Sequence, residues 1–187
     1  MDKFGSIHEE TAIVLDFLPN GYLYDTRPSH MKTPIVQAIG KEHFVLLELV
    51  PKKEVALQPH DEVYIGEGKR DHIHHINGRL PFSKLTPTAK AELEYAVKEI
   101  IKKNETMFVE FFNHAQPLST RMHSIELIPG VGKKRMWEIL DERKIKPFET
   151  LDELKKRVKL LPDPANAIAK RIMTEINGVE KHKLFAG

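Results

Sequence analysis

The chain has no cysteine, a single tryptophan and no long apolar run, and each absence removes a class of protein. Without thiols there is no disulfide framework, no zinc finger and no cysteine nucleophile, a composition suited to a reducing compartment. No apolar stretch approaches the roughly 20 residues that cross a bilayer, and the opening MDKFGSIHEE lacks an h-region with a small-residue cleavage site. A cytoplasmic protein with no membrane partner is expected. Also missing are a Walker-type phosphate loop, a Gly-x-Ser-x-Gly elbow and a dinucleotide fingerprint, and the acidic residues are spread out rather than clustered for two-metal chemistry. No catalytic residue is assigned, and a nonenzymatic protein is expected.

What is present is ordinary for a folded chain: 187 residues, 41 % hydrophobic and 30 % charged, enough for one medium domain or two small ones. The net charge of +2 is unevenly spread. Residues 1–115 carry 14 Lys and Arg against 17 Asp and Glu, whereas residues 116–187 carry 15 against 10. A basic C-terminal part is the footprint of a surface that approaches a polyanion.

Between Thr11 and about Phe82 the pattern is one of short strands separated by turn residues. Thr11–Leu18 precedes Pro19-Asn20-Gly21, and Tyr22-Leu23-Tyr24 resumes extended character. Pro34–Ile39 and His43–Val50 are joined through Gly40-Lys41, with Gly40 suited to a positive φ. Glu62–Gly66 and Asp71–Ile76 follow, the latter ending at the turn pair Asn77-Gly78. Five or six short strands must close or expose edges, which favours a small barrel of the oligonucleotide/oligosaccharide-binding type over 10–82. Thr86 and Pro87 then open a helix that runs through Lys103, and Met107–Asn113 is a second helix or a strand. The fold class is therefore α+β, with connecting helices over 83–115 and an all-helical module over 116–180.

That module carries the functional signal. Met122 and Ile125 mark one helical face, Met136, Trp137, Ile139 and Leu140 mark another, and Pro129-Gly130-Val131-Gly132 lies between them. Ile128-Pro129-Gly130-Val131-Gly132-Lys133-Lys134 resembles the helix-hairpin-helix motif, apolar-Pro-Gly-apolar-Gly-x-x. Glycines let consecutive N–H groups point at one phosphate oxygen, the following helix adds the positive end of its macrodipole, and Lys133, Lys134 and Arg135 add mobile positive charge. The resemblance implies that Val131 packs between the helices and that the hairpin carbonyls hold a monovalent cation. Some 33 residues later, Leu161-Pro162-Asp163-Pro164-Ala165 repeats the pattern with Asp163 for the first glycine, after a helix opened by the box Thr150-Leu151-Asp152-Glu153. A carboxylate repels phosphate, so the second copy is read as structural and the first as binding. A purely structural turn is the competing reading.

Weaker candidates lie in the N-terminal half. Arg27, His30 and Lys32 sit on a polar connection of the kind such barrels use for ligands, and a solvated loop explains them equally well. In a strand His72 and His74 share a face while His75 points away, which gives two convergent ligands rather than three, so no metal is expected, and polar contacts to a nucleic acid or ordinary surface histidines are the readings left. Tyr22, Tyr24 and Tyr64 could stack on bases or belong to the core.

Over nearly its whole length, through Gly40-Lys41-Glu42-His43-Phe44-Val45-Leu46-Leu47-Glu48 and Leu127-Ile128-Pro129-Gly130-Val131-Gly132-Lys133-Lys134, the chain resembles the DUF655 family. Its members are regarded as RNA- or nucleotide-binding proteins whose genes often lie near that of a ribosomal RNA dimethyladenosine methyltransferase. The resemblance implies a nucleic-acid partner, with RNA, ribosomal or transfer, favoured over DNA. A DNA repair or recombination accessory factor and a protein-protein adaptor are the alternatives.

Overall fold

The computed structural model describes residues 8–187, and its contacts divide the chain into two compact units. The first comprises residues up to Ala96 together with Glu175–Gly187; the second is Val97–Thr174.

In the first unit the strands β1 (Thr11–Leu18), β2 (Ile35–Gly40), β3 (Leu46–Pro51), β4 (Glu62–Tyr64) and β5 (Ile73–Arg79) form one sheet in the order β4-β1-β2-β3-β5, every pair antiparallel. β1 is long and apolar because it is central for part of its length, pairing Ala12 with both Gly40 and Val63. A bulge between Val14 and Asp16 shifts the alternation by one residue. Val14 and the later Phe17 consequently serve the same core, with Val36, Leu49, Val63 and Ile73.

Three local expectations are corrected. Tyr22–Tyr24 forms no strand. Asn77 and Gly78 are no turn but lie inside β5, where Gly78 opposes Glu48 beside a register shift. The positive φ of the β2–β3 connection falls on Phe44 (φ 55°), not on Gly40. Gly40 is small for another reason: a Cβ there would lie 2.0 Å from Cδ of Glu9. That carboxyl is locked in place by the N–H groups of Glu42 (2.8 Å), His43 (3.0 Å) and Val45 (3.2 Å).

α1 (Pro87–Lys103) starts where Thr86 is held from three sides. Its Oγ1 accepts from Ala89 N–H (3.0 Å) and donates to Asp16 (2.6 Å), and its N–H donates to the fully buried Gln37 (2.9 Å). From Val97 to Thr174 the chain belongs to the second unit, which continues with α2 (Glu105–His114), a hairpin of β6 (Pro117–Ser119) and β7 (Met122–His123), a 3-10 helix (Ser124–Leu127), α3 (Lys133–Ile145), α4 (Leu151–Arg157) and all but the last two residues of α5 (Pro164–Ile176). The 107–113 segment is thus helical, with Phe108, Val109 and Phe112 buried. The helix expected around Met122 is instead a strand followed by a single 3-10 turn. His123 causes this: its side chain accepts from Ile125 N–H while Glu126 accepts from His123 N–H, a capping box that starts the turn only at Ser124.

Burial, with the neighbouring Glu42 carboxyl, pushes the Glu9 carboxyl up to about 8. A raised carboxyl favours the neutral acid in the folded state, so its stabilising contribution is complete below pH 4.5 and fades as pH rises through about 8. Wild-type protein should therefore lose stability relative to Glu9→Gln between these pH values, as read from urea midpoints; parallel pH profiles would contradict the assignment.

Candidate nucleic-acid interface

Ile128–Val131 is a turn closed by Val131 N–H to Ile128 C=O (3.0 Å), with Gly130 at φ +81°. Val131 is 4 % exposed. Gly132 follows in extended conformation (φ −82°, ψ 177°) and caps α3 without a side chain. The first intrahelical bond of α3 runs from Met136 N–H to Gly132 C=O (3.0 Å). Lys133, Lys134 and Arg135 therefore have first-turn amides with no acceptor inside the helix. The side chains of Lys133 and Lys134 are exposed, whereas Arg135 is paired with Glu138 of its own helix (2.8 Å).

The turn between α4 and α5 is the same device with different residues. Leu161 N–H reaches Val158 C=O (3.4 Å), Leu160 takes the positive φ (+59°), and Leu161 is 7 % exposed. Matched by geometry, Leu160 stands where Gly130 stands, so the repeat spans 30 residues at the turn rather than 33, and one additional residue separates this turn from the helix cap. The sequence alignment had placed Asp163 at Gly130 because Pro162 mimicked Pro129. Asp163 is instead the N-cap of α5, the counterpart of Gly132: its Oδ1 accepts from Asn166 N–H (3.0 Å) and its Oδ2 pairs with Lys155 (3.3 Å). The second helix tip is occupied by the chain's own carboxylate. Among the described residues, the first has no side-chain cap.

The two glycines have different reasons to be there. At Gly130 a Cβ would lie 2.8 Å from Cγ of Pro162, and the left-handed backbone excludes most side chains anyway. At Gly132 φ is ordinary and nothing lies within 4 Å of a Cβ. Leu160 is the opposite anomaly: it holds a left-handed conformation that disfavours leucine by about 1 kcal/mol or more, and its side chain is 86 % exposed. Leu160 carries no signal in the sequence that marks it. Trp137 had been placed with Met136, Ile139 and Leu140, yet those three are buried and Trp137 is 58 % exposed.

The remaining candidates belong to the first unit. Arg27, His30 and Lys32 lie on the β1–β2 connection, His30 in a 3-10 turn (Ser29–Met31). Arg27 is held by Asp25 (2.7 Å), and its hydrogen bonds lower that carboxyl to about 2. Tyr22 and Tyr24 stack at 4.9 Å, with the Tyr22 hydroxyl donating to Glu48 and the Tyr24 ring 74 % exposed. His72 precedes β5 and His74 lies on it, both exposed; Nδ1 of His74 is 2.7 Å from Nδ1 of His75. Among the described residues no cluster of three His, Asp or Glu could hold a metal ion, and no helix is long and apolar enough to cross a membrane.

The family model described as "Protein of unknown function (DUF655)" matches residues 8–187, a span that holds both turns and the whole sheet. The chain belongs to the DUF655 family. It is 43 % identical over 177 residues to "Uncharacterized protein MJ0038" of Methanocaldococcus jannaschii, covering 95 % of this chain and 78 % of that protein. It is also similar to the crystal structure of Af1531 from Archaeoglobus fulgidus, a DUF655 structure, at 45 % identity and a TM-score of 0.87, covering 96 % of this chain and all of that one.

The two glycines of this DUF655 chain should separate in a stability measurement. Gly130→Ala is expected to cost on the order of 2 kcal/mol through backbone strain and the clash with Pro162. Gly132→Ala should stay within about 1 kcal/mol, because a weaker cap and a less flexible unfolded chain oppose each other. Equal losses in urea denaturation would contradict this division of roles.

Proposed function

We propose that this DUF655 protein binds nucleic acid without catalysing a reaction, RNA in preference to DNA, and that a backbone phosphate is held at Gly132 by the first-turn amides of α3 with Lys133 and Lys134 beside it. The observation that carries the proposal is the contrast between the two helix tips. α5 is capped by Asp163, whose carboxylate oxygen accepts from the helix start. α3 starts one residue closer to its turn, with a glycine that the fold does not require, which leaves room for an external oxygen to approach to hydrogen-bonding distance. Val131 and Gly130 set the turn, Lys133 and Lys134 supply charge that no ion pair among the described residues takes up, and Arg135 contributes only if it leaves Glu138. The Ile128 carbonyl already accepts one hydrogen bond and retains a second lone pair that could face a monovalent cation.

The paired turns support a tandem helix-hairpin-helix module, and the strand order supports a five-stranded barrel of the oligonucleotide/oligosaccharide-binding type, open between β4 and β5. In such barrels the β1–β2 and β4–β5 connections contact the ligand, which here are the segments carrying Arg27, His30 and Lys32 and the one ending at His72. Phosphate contacts do not separate RNA from DNA, so the preference for RNA must reside in these loops and in the exposed Tyr24 ring.

Gly132→Asp copies Asp163 onto the first tip. Aspartate is a good cap, so thermal stability should be unchanged or higher. Affinity for a structured RNA in a mobility-shift titration at one salt concentration should fall by roughly tenfold or more, the scale of losing charge-assisted hydrogen bonds. Unchanged affinity would overturn the proposed site. If the protein served instead as an adaptor, partner binding would survive replacement of Lys133 and Lys134 by Glu, whereas the phosphate site predicts its loss.

A further inference from the structure

The phosphate site leaves Leu160 unexplained. It occupies the position that glycine fills in the first hairpin, in a backbone conformation hostile to leucine, and its side chain gains no burial in return. Glycine or asparagine would serve the turn better. The fold therefore gives no reason for an apolar side chain here, which points to a surface outside the chain.

Its surroundings indicate what that surface is. Lys156 in the last turn of α4 and Lys159 in the turn after it are exposed, and neither belongs to an ion pair among the described residues. Pro162, two residues further on, lies against Gly130 of the first hairpin, which brings the tip carrying Leu160 beside the tip carrying Gly132. An exposed apolar side chain that follows two exposed cations in the chain, next to a helix start open to an anion, matches a strand of alternating phosphates and less polar sugar and base surfaces. A purely apolar groove on a protein partner would leave both lysines without counter-charges.

Resting on the phosphate reading above, we infer that Leu160 is an apolar contact to the ribose rings or base edges of the same nucleic-acid strand, with Lys156 and Lys159 meeting its phosphates nearby. Apolar wedges of this kind are a recurrent way to gain contact where hydrogen bonds to the backbone alone would only position the partner. The second hairpin then has a binding role through its tip although its helix start is closed by Asp163.

Leu160→Gly tests this without endangering the fold, because glycine relieves the left-handed strain and the melting temperature should hold or rise. Full-length wild type and variant are titrated by fluorescence anisotropy with a labelled RNA stem-loop, and by competition with inorganic polyphosphate, which has the charge but no sugars or bases. Leu160→Gly should weaken RNA binding roughly tenfold, the scale of burying much of one leucine side chain, and leave polyphosphate competition unchanged. Leu160→Met should retain most of the RNA affinity. Wild-type RNA affinity in Leu160→Gly, or an equal loss for both ligands, would overturn the inference. Gly132→Asp run alongside separates the two claims: if it changes neither ligand, the phosphate site itself fails whatever Leu160 does.

Discussion

Pro162 is packed so closely on the turn at Gly130 that the place of a single Cβ is already taken, 2.8 Å from its Cγ. This close approach puts the two turns beside each other, and Ile128, Val131, Val158 and Leu161 on those turns are all buried. Each such side chain contributes about 1.5–3 kcal/mol when removed from water, enough to hold both turns in one arrangement. The direction in which α3 and α5 start is fixed by the turns. Which of the two helix starts is left open follows from the cap each one carries.

Against that well-packed base, the solvent-facing residues of the tips run counter to stability. A helix start favours acidic residues, and α4 has Asp152 and Glu153 there, yet α3 begins with two lysines and has no acidic residue in its first turn. Each misplaced charge costs a few tenths of a kcal/mol up to about 1. Glycine is a weaker cap than the aspartate used thirty-one residues later, and Leu160 sits in a conformation suited to glycine. These three unfavourable choices fall on two neighbouring turns whose apolar residues Ile128, Val131, Val158 and Leu161 are buried, a pattern the proposed phosphate site would account for. A phosphate would relieve two of the three at once, since it neutralises the lysines and accepts from the bare amides.

Periodicity and turn chemistry made much of this legible. The strands at 11–18, 35–40 and 46–51, the cap at Thr86 with Pro87 after it, and the stop at Asn177-Gly178 were all written in local residue types. What escaped depended on partners distant in sequence. Gly40 looks like a hairpin glycine until Glu9 is found against it, and Asn77-Gly78 looks like a turn until Glu48 is found opposite. The return of Glu175–Gly187 to the first unit has no local signal: the buried Glu175 carboxylate accepts from the N–H groups of Leu184, Phe185 and Ala186 and folds the tail back. At the site itself, Pro129-Gly130-Val131-Gly132 was legible as a turn with bare amides. The repeat register was not, because Pro162 imitates Pro129 in sequence while the geometry aligns Leu160 with Gly130.

The central claim is that the helix start at Gly132 is an anion site and the one at Asp163 is not. Backbone amide chemical shifts, followed in two-dimensional NMR while a short structured RNA is added at fixed salt, report on both at once. The account predicts the largest saturable shifts at Gly132, Lys133, Lys134 and Arg135, with the Asn166 and Ala167 amides of α5 unmoved because the Asp163 side chain and backbone carbonyl already hold them. Shifts concentrated elsewhere, with the α3 amides silent, would contradict it.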